Sequence, residues 1–195
     1  MQFKLFASIA AITALASTAT GAALKPRALS GQATYYGGNV QGGACSFSTY
    51  TLPSNVFGTA LSDSNWANSA ECGGCVKVTG PNGKSITAMV RSSTSAPVAA
   101  PTTSTFPYRL LLPRRPLQGV IDITWDYVQC PITSPLQVHM KSGVSQYWFS
   151  AQIVNGNLRT NKLEVSIDQG KTWKSTTRQT YNFFEISSGT GASTA

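Results

Sequence analysis

The sequence predicts an all-β protein made of two successive units of short strands. Three observations carry this. Charged residues are only 11% of the 195-residue chain, while Gly, Ser and Thr are abundant, a composition of strands and turns rather than of helices. Apolar and polar residues alternate over several runs, the mark of half-buried strands. An Asn-Gly pair stands between two such runs, a strong hairpin signal.

The elements follow in chain order. Lys4 precedes an apolar run at residues 5–16 and small residues at 17–22, which reads as a secretory signal peptide over residues 1–22, too short to span a bilayer. Lys25-Pro26-Arg27 reads as a basic processing site, making residues 23–29 a propeptide and starting the mature chain near Ala28 or Ser30. The rest holds no other long apolar run, so no membrane anchor is expected. Residues 32–36 form a strand closed by Gly37-Gly38, and a turn is expected at Gly42-Gly43-Ala44-Cys45. Residues 73–80 form a strand that Pro81-Asn82-Gly83 turns into a partner at 85–90. Residues 64–70 form a single helical turn.

Residues 119–130 give the clearest strand, with Val120, Asp122, Thr124, Asp126 and Val128 on one face and Ile121, Ile123, Trp125 and Tyr127 on the other. The stiff connector Pro131-Ile132-Thr133-Ser134-Pro135 marks a boundary. Strands are then expected at 136–141, 147–154, 162–168, 172–178 and 181–186, an antiparallel sandwich with few strands for two covered sheets. Trp173 is assigned to its core. No internal repeat is read.

Residues 91–118 break the pattern. They hold five of the 10 Pro and four of the 15 Lys and Arg, with no Asp, Glu, Gly or Cys. The formal net charge of +8 depends on them: without Lys4 and those four arginines, +3 remains. No basic stripe interleaved with aromatics appears, so a nucleic-acid partner is not expected. Four cysteines in a secreted chain read as bridges rather than thiols. Cys72-Gly73-Gly74-Cys75 has zinc or redox spacing, with Cys45, Cys130 or His139 to complete a site. Secretion and the lack of a second close pair favour disulfides, and no metal or cofactor is expected.

Four strings in order carry a family pattern: Gly31-Gln32-Ala33-Thr34-Tyr35-Tyr36-Gly37-Gly38, Gly43-Ala44-Cys45, Glu71-Cys72-Gly73-Gly74-Cys75-Val76-Lys77-Val78, and residues 119–130. They resemble the fungal expansin-like proteins, close to the loosenins. The second half resembles the expansin carbohydrate-binding domain in Ser145-Gln146-Tyr147-Trp148-Phe149-Ser150 and Thr180-Tyr181-Asn182-Phe183-Phe184. The resemblance implies a double-psi β-barrel over residues 30–131, followed by an incomplete immunoglobulin-like β-sandwich over 134–195. It also implies disulfides Cys45 to Cys72 and Cys75 to Cys130, and loosening of insoluble cellulose, chitin or a related glucan without cutting, by a secreted monomer.

Family site residues carry over one by one. In the barrel groove Thr34 and Tyr36 match, and period two puts them on one strand face. In the second half Tyr147, Trp148 and Tyr181 match a linear aromatic platform, with Lys141 beside it. Alternation sets Trp148, Ser150 and Gln152 on one face, whose polar company predicts an exposed Trp148 able to stack on sugar; strict alternation instead sends Tyr147 to the core. The two groove aspartates of the family are absent, since no carboxylate occurs between Glu71 and Asp122. Their loss argues against a glycoside hydrolase, which needs two carboxyl groups astride the scissile bond. Asp122 and Asp126 are about 13 Å apart along a strand, too far for that work. They read as solvent-facing, Asp63 and Glu71 as loop charges, and His139, without a nucleophile or acid nearby, as structural or surface.

A change of reading frame accounts for the broken segment. Codons for the family-like string Gln-Cys-Pro-Gly-Cys-Gly-Thr-Asn-His-Leu-Asp, moved by one nucleotide, encode Ser-Ala-Pro-Val-Ala-Ala-Pro-Thr-Thr-Ser-Thr, which is residues 95–105. A natural Pro/Thr-rich linker is the alternative. On the shifted reading the segment is irregular and exposed and loosening is weak. The rival functions are a hydrolase on the same barrel, a small secreted defence or elicitor protein, and a nonfunctional product of the shifted frame.

Overall fold

The strongest alternation in the sequence becomes one wall of a barrel. In β6 (Val120–Val128) Ile121, Ile123 and Trp125 are buried while Val120, Asp122 and Thr124 face solvent. The computed structural model describes residues 28–36, 43–94, 102–104, 111 and 120–192. Within them β1 (Leu29–Tyr36), β2 (Phe57–Ser62), β3 (Cys75–Thr79), β4 (Ser85–Thr94) and β5 (Thr102–Ser104) join β6 in a closed barrel of order β1-β5-β2-β4-β3-β6. The pairs β1 with β5 and β2 with β4 run parallel, and the rest antiparallel. Two parallel pairs that each need a crossover are the expected double-psi arrangement. The Asn-Gly turn is where the sequence places it: Gly83 takes φ +75° and the Asn82 side chain accepts from the Lys84 N–H.

Ala33, Leu61, Val76, Val78, Ile86, Ala88, Val90, Leu111, Ile121, Ile123 and Trp125 fill the barrel. Each large apolar side chain buried there contributes about 1.5–3 kcal/mol. Disulfides Cys45–Cys72 and Cys75–Cys130 close loops of 27 and 55 residues, each worth about 4 kcal/mol in the chain-entropy view.

Residues 91–118 depart from the irregular, exposed segment expected of them wherever they are described. β4 runs on through Arg91 to Thr94 in register with β2, β5 fills the gap between β1 and β2, and Leu111 is fully buried. An open gap would strand the hydrogen-bonding groups of two facing strands, and Thr102 and Thr103 are β-branched residues suited to closing it. Gly80 makes room for Leu111, because a Cβ there would overlap the Leu111 backbone. Most of the string at 95–105 that reads as a shifted frame, and residues 1–27, lie outside the described residues.

Further differences follow from local geometry. The helical turn is α1 (Asp63–Trp66), ended by left-handed Ala67, Asn68 and Ser69. Tyr127 is half exposed rather than on the core face, because its ring lies under the Arg159 guanidinium, 5.3 Å from the ring centre. Glu71, read as a loop charge, is buried and ion-paired with Arg159.

The second unit is more broken than its alternation implies. β7 (Gln137–Met140), β8 (Phe149–Val154), β11 (Thr177–Arg178) and β12 (Phe184–Ile186) form a sheet of order β11-β12-β8-β7, and β9 (Glu164–Val165) with β10 (Lys174–Ser175) a second. The expected strand at 181–186 loses its first half to a turn in which Asn182 takes φ +63° and its N–H donates to Gln179 O. Trp173 is not in the core. It is 60% exposed in the bend before β10, since a two-pair hairpin reaches too little of the larger sheet to enclose an indole. Val138 and Met140 on that sheet are also exposed.

Candidate functional site

The site begins with the alternation of β8. Phe149 and Ala151 point to the inner face, and Ser150 and Gln152 to the other. Register adds the neighbours: Ser150 lies opposite Glu185 on β12, and Gln152 opposite His139 on β7. Lys141 follows β7 directly, its N–H bonded to Ser150 O at 3.0 Å. Trp148 precedes β8, held by paired backbone bonds with Ser145. Gly189 makes this turn possible, because any Cβ there would strike the Gln146 carbonyl.

Lys141 Nζ is the hub. It lies 4.1 Å from the Tyr181 ring centre, 5.2 Å from Phe183 and 5.8 Å from Trp148, within cation–π range of all three. Glu185 Oε1 sits 3.9 Å from it. The same oxygen accepts from the Tyr181 hydroxyl at 2.6 Å and from Ser150 Oγ at 3.0 Å. That hydrogen bond to Glu185, ahead of burial and the carboxylate's charge, pushes the Tyr181 hydroxyl up to about 12, so at neutral pH the phenol keeps its proton and donates it. Tyr147 stands beside this group in sequence and is 74% exposed; the core position that strict alternation gives it is not the one it takes.

Of the predicted binding residues, Lys141, Trp148 and Tyr181 thus converge on one face, with Tyr147 on the adjoining turn, and Trp148 is half-buried rather than exposed as its alternation predicts, its indole lying near Lys141. Thr34 is half-buried on β1, whose neighbour Ala33 enters the barrel core. Tyr36 ends β1 opposite Ser104 of β5, and its side chain lies outside the described residues. Sequence reasoning missed Glu185, Ser150 as its partner, and Phe183. Only register across three strands brings them together, and no local pattern announces it. His139 packs its ring 6.3 Å from Phe183.

A hydrogen-bonded seam holds this sheet on the barrel. Gln152 Nε2 donates to Cys45 O at 2.7 Å and Ser69 Oγ to Gln179 O at 2.7 Å. Arg178 donates to Ser69 O and Thr160 O, and Val154 packs on Cys45, Phe47 and Cys72. A cleft of about 540 Å³ opens beside Tyr127, Gln129, Arg159 and Asn161. Its charged groups are occupied with one another: Glu71 holds both Arg159 and the Tyr127 hydroxyl, and burial followed by Glu71 pushes that phenol up to about 12.

All seven carboxylates are described. Glu71, Glu164 and Glu185 face Arg159, Lys162 and Lys141, Asp168 accepts from Thr172 and Ser166, and Asp122 accepts from Gln32. Asp63 opens α1, and Asp126 is half-buried on β6. Among the described residues no cluster of three or more His, Cys, Asp or Glu forms a metal site.

No protein-family model matches the chain. It is similar to expansin-like protein 5 of Dictyostelium discoideum, 26% identical over 167 residues that span 82% of this chain and 70% of that protein. It is 30% identical to expansin-YoaJ of Bacillus subtilis over 167 residues, 83% of this chain and 69% of the relative. Among solved structures it is similar to a Clavibacter michiganensis expansin, substituted at one position and in complex with cellohexaose, with a TM-score of 0.70, 26% identity, and coverage of 83% of this chain and 79% of that one.

Proposed function

The chain belongs to the expansin family, and from that premise we propose that it is a secreted protein that binds cell-wall cellulose, chitin or a related glucan and loosens it without breaking bonds. One observation carries the reading: Trp148 and Tyr181 flank Lys141 on a partly open sheet face next to exposed Tyr147. Flat aromatic faces are apolar enough to stack on the C–H face of a pyranose, while the phenol and ammonium offer polar partners to ring hydroxyls. A solved relative with cellohexaose bound supports a β-linked glucan as the ligand class. Loosening then follows from competition, since each glucan segment held on the face is withdrawn from contact with its neighbours.

The barrel contributes less. In this proposal residues 30–131 form the barrel unit and 134–195 the binding unit, with Thr34 and Tyr36 as secondary groove contacts. β4 ends in Ser92, Ser93 and Thr94, leaving hydroxyls where the family resemblance places an aspartate, so binding outlasts loosening in this chain. Hydrolysis is disfavoured because five of the seven carboxylates are held by structural partners. Secretion rests on the leader at residues 1–22; no helix among the described residues is long and apolar enough to cross a membrane.

The test is a pull-down on insoluble cellulose and on chitin, with reducing sugar assayed in the supernatant. Retention on at least one solid with no sugar released is the expected result. Sugar release would make the protein a hydrolase, and absence from both solids would refute polysaccharide binding.

A further inference from the structure

We propose that Glu185 is a positioning and specificity-determining residue, which orients Tyr181 and cancels the charge of Lys141 so that the aromatic face selects uncharged glycans over acidic ones. The inference rests on the functional reading above and goes beyond it in naming what the face excludes. Three groups share one carboxylate oxygen. Tyr181 and Ser150 donate to Glu185 Oε1 at 2.6 and 3.0 Å, and Lys141 Nζ lies 3.9 Å away. Ser150 is fully buried, so its hydroxyl is a fixed anchor for the carboxylate. The Tyr181 phenol is then tied to a rigid strand pair rather than free to turn about its own bonds.

The electrostatic consequence follows from exposure. The Lys141 side chain is 37% exposed and that of Glu185 15%, so the ammonium is what an arriving ligand meets first. Alone, it would make the face an anion trap for uronic acid or sulfated sugars. With Glu185 behind it the local charge is close to zero. The ammonium then serves as a hydrogen-bond donor to hydroxyls instead of a counter-ion. The hydrogen bond to Glu185 also raises the Tyr181 hydroxyl, which keeps the phenol a donor.

The experiment compares the full chain with Glu185→Gln, Glu185→Asp and the double variant Glu185→Gln/Lys141→Gln on plain cellulose and on carboxymethylated cellulose, matrices that share a backbone and differ in charge. For Glu185→Gln we expect retention on plain cellulose to fall about tenfold, the usual scale for losing a charged hydrogen-bond acceptor. Retention on carboxymethylated cellulose should rise, and the rise should vanish in salt at about 0.5 M, where charges are screened within a few ångström. Glu185→Asp should keep the preference for the plain matrix, and the double variant should lose the gain on the charged one. Wild-type protein held by neither matrix nor by chitin would overturn the functional reading and this inference with it, and wild-type protein held by chitin alone would overturn this inference only. Wild-type protein held by plain cellulose, with Glu185→Gln showing the same ratio between matrices, would overturn this inference alone. A gain that survives removal of Lys141 would overturn it as well.

Discussion

Tyr181 and Tyr127 are both phenols raised to about 12, for different reasons. At Tyr181 the hydrogen bond to Glu185 leads; at Tyr127 burial leads and Glu71 adds to it. The sign of the linkage is the same. A folded-state value above the ordinary 10 favours the neutral phenol, so the stabilisation is complete below about pH 10 and is lost as pH rises towards 12. In an ultraviolet titration Tyr181 and Tyr127 should ionise late, along with Tyr50, which burial also raises, and Tyr181→Phe and Tyr127→Phe should each remove one late-titrating group. Tyr181→Phe without loss of a late-titrating group would contradict the contact with Glu185. At this scale the sequence was a partial guide. The family pattern brought out Lys141, Trp148 and Tyr181, whereas Glu185, an isolated acid in a strand, gave no sign that it meets all the others except Trp148.

β4 and β5 carry the lesson at the scale of elements. Ser85 to Val90 reads as a strand from its alternation, but nothing in Arg91 to Thr94 marks a continuation, because the pull comes from β2 alongside. Arg91 itself is 3% exposed, donating to Phe47 O and Tyr50 O from between their rings. It ties the 43–56 loop to the barrel with carbonyls and aromatic faces instead of a carboxylate. Burial accordingly lowers its ionisation. Leu111 gives the stronger test that this unusual segment belongs to the fold. Leu111→Ala should cost about 2–5 kcal/mol, the range for emptying a fully packed core position, measured as a shift in the urea midpoint at unchanged slope. A change under about 0.5 kcal/mol, as expected of a surface position, would place Leu111 outside the core. β2 was not legible at all in Phe57-Gly58-Thr59-Ala60-Leu61-Ser62, since a strand buried along most of its length shows no alternation.

At the scale of the whole molecule, class and order were legible and completeness of packing was not. Composition and period-two runs are enough for an all-β chain, and the cysteine and glycine strings place the barrel first. Trp173 read as core in the sequence and is exposed, as are Val138, Met140 and Ile167, because a strand pattern identifies a face meant for burial without telling whether anything covers it. That unit depends on its seam with the barrel, where Gln152 and Asn182 both reach Cys45 O. The seam also fixes the aromatic face relative to the groove near Thr34. Binding energy for the polysaccharide comes chiefly from this face, and the groove contacts at Thr34 and Tyr36 are secondary. Depletion isotherms on insoluble cellulose for wild type, Trp148→Ala and Thr34→Ala test it most directly. Loss of one stacking ring should weaken binding by about 1–3 kcal/mol, on the scale of base–aromatic stacking, while Thr34→Ala should change it by less than about 0.5 kcal/mol, as at an ordinary surface position. Equal affinities for wild type and Trp148→Ala, or a larger loss in Thr34→Ala, would contradict the account.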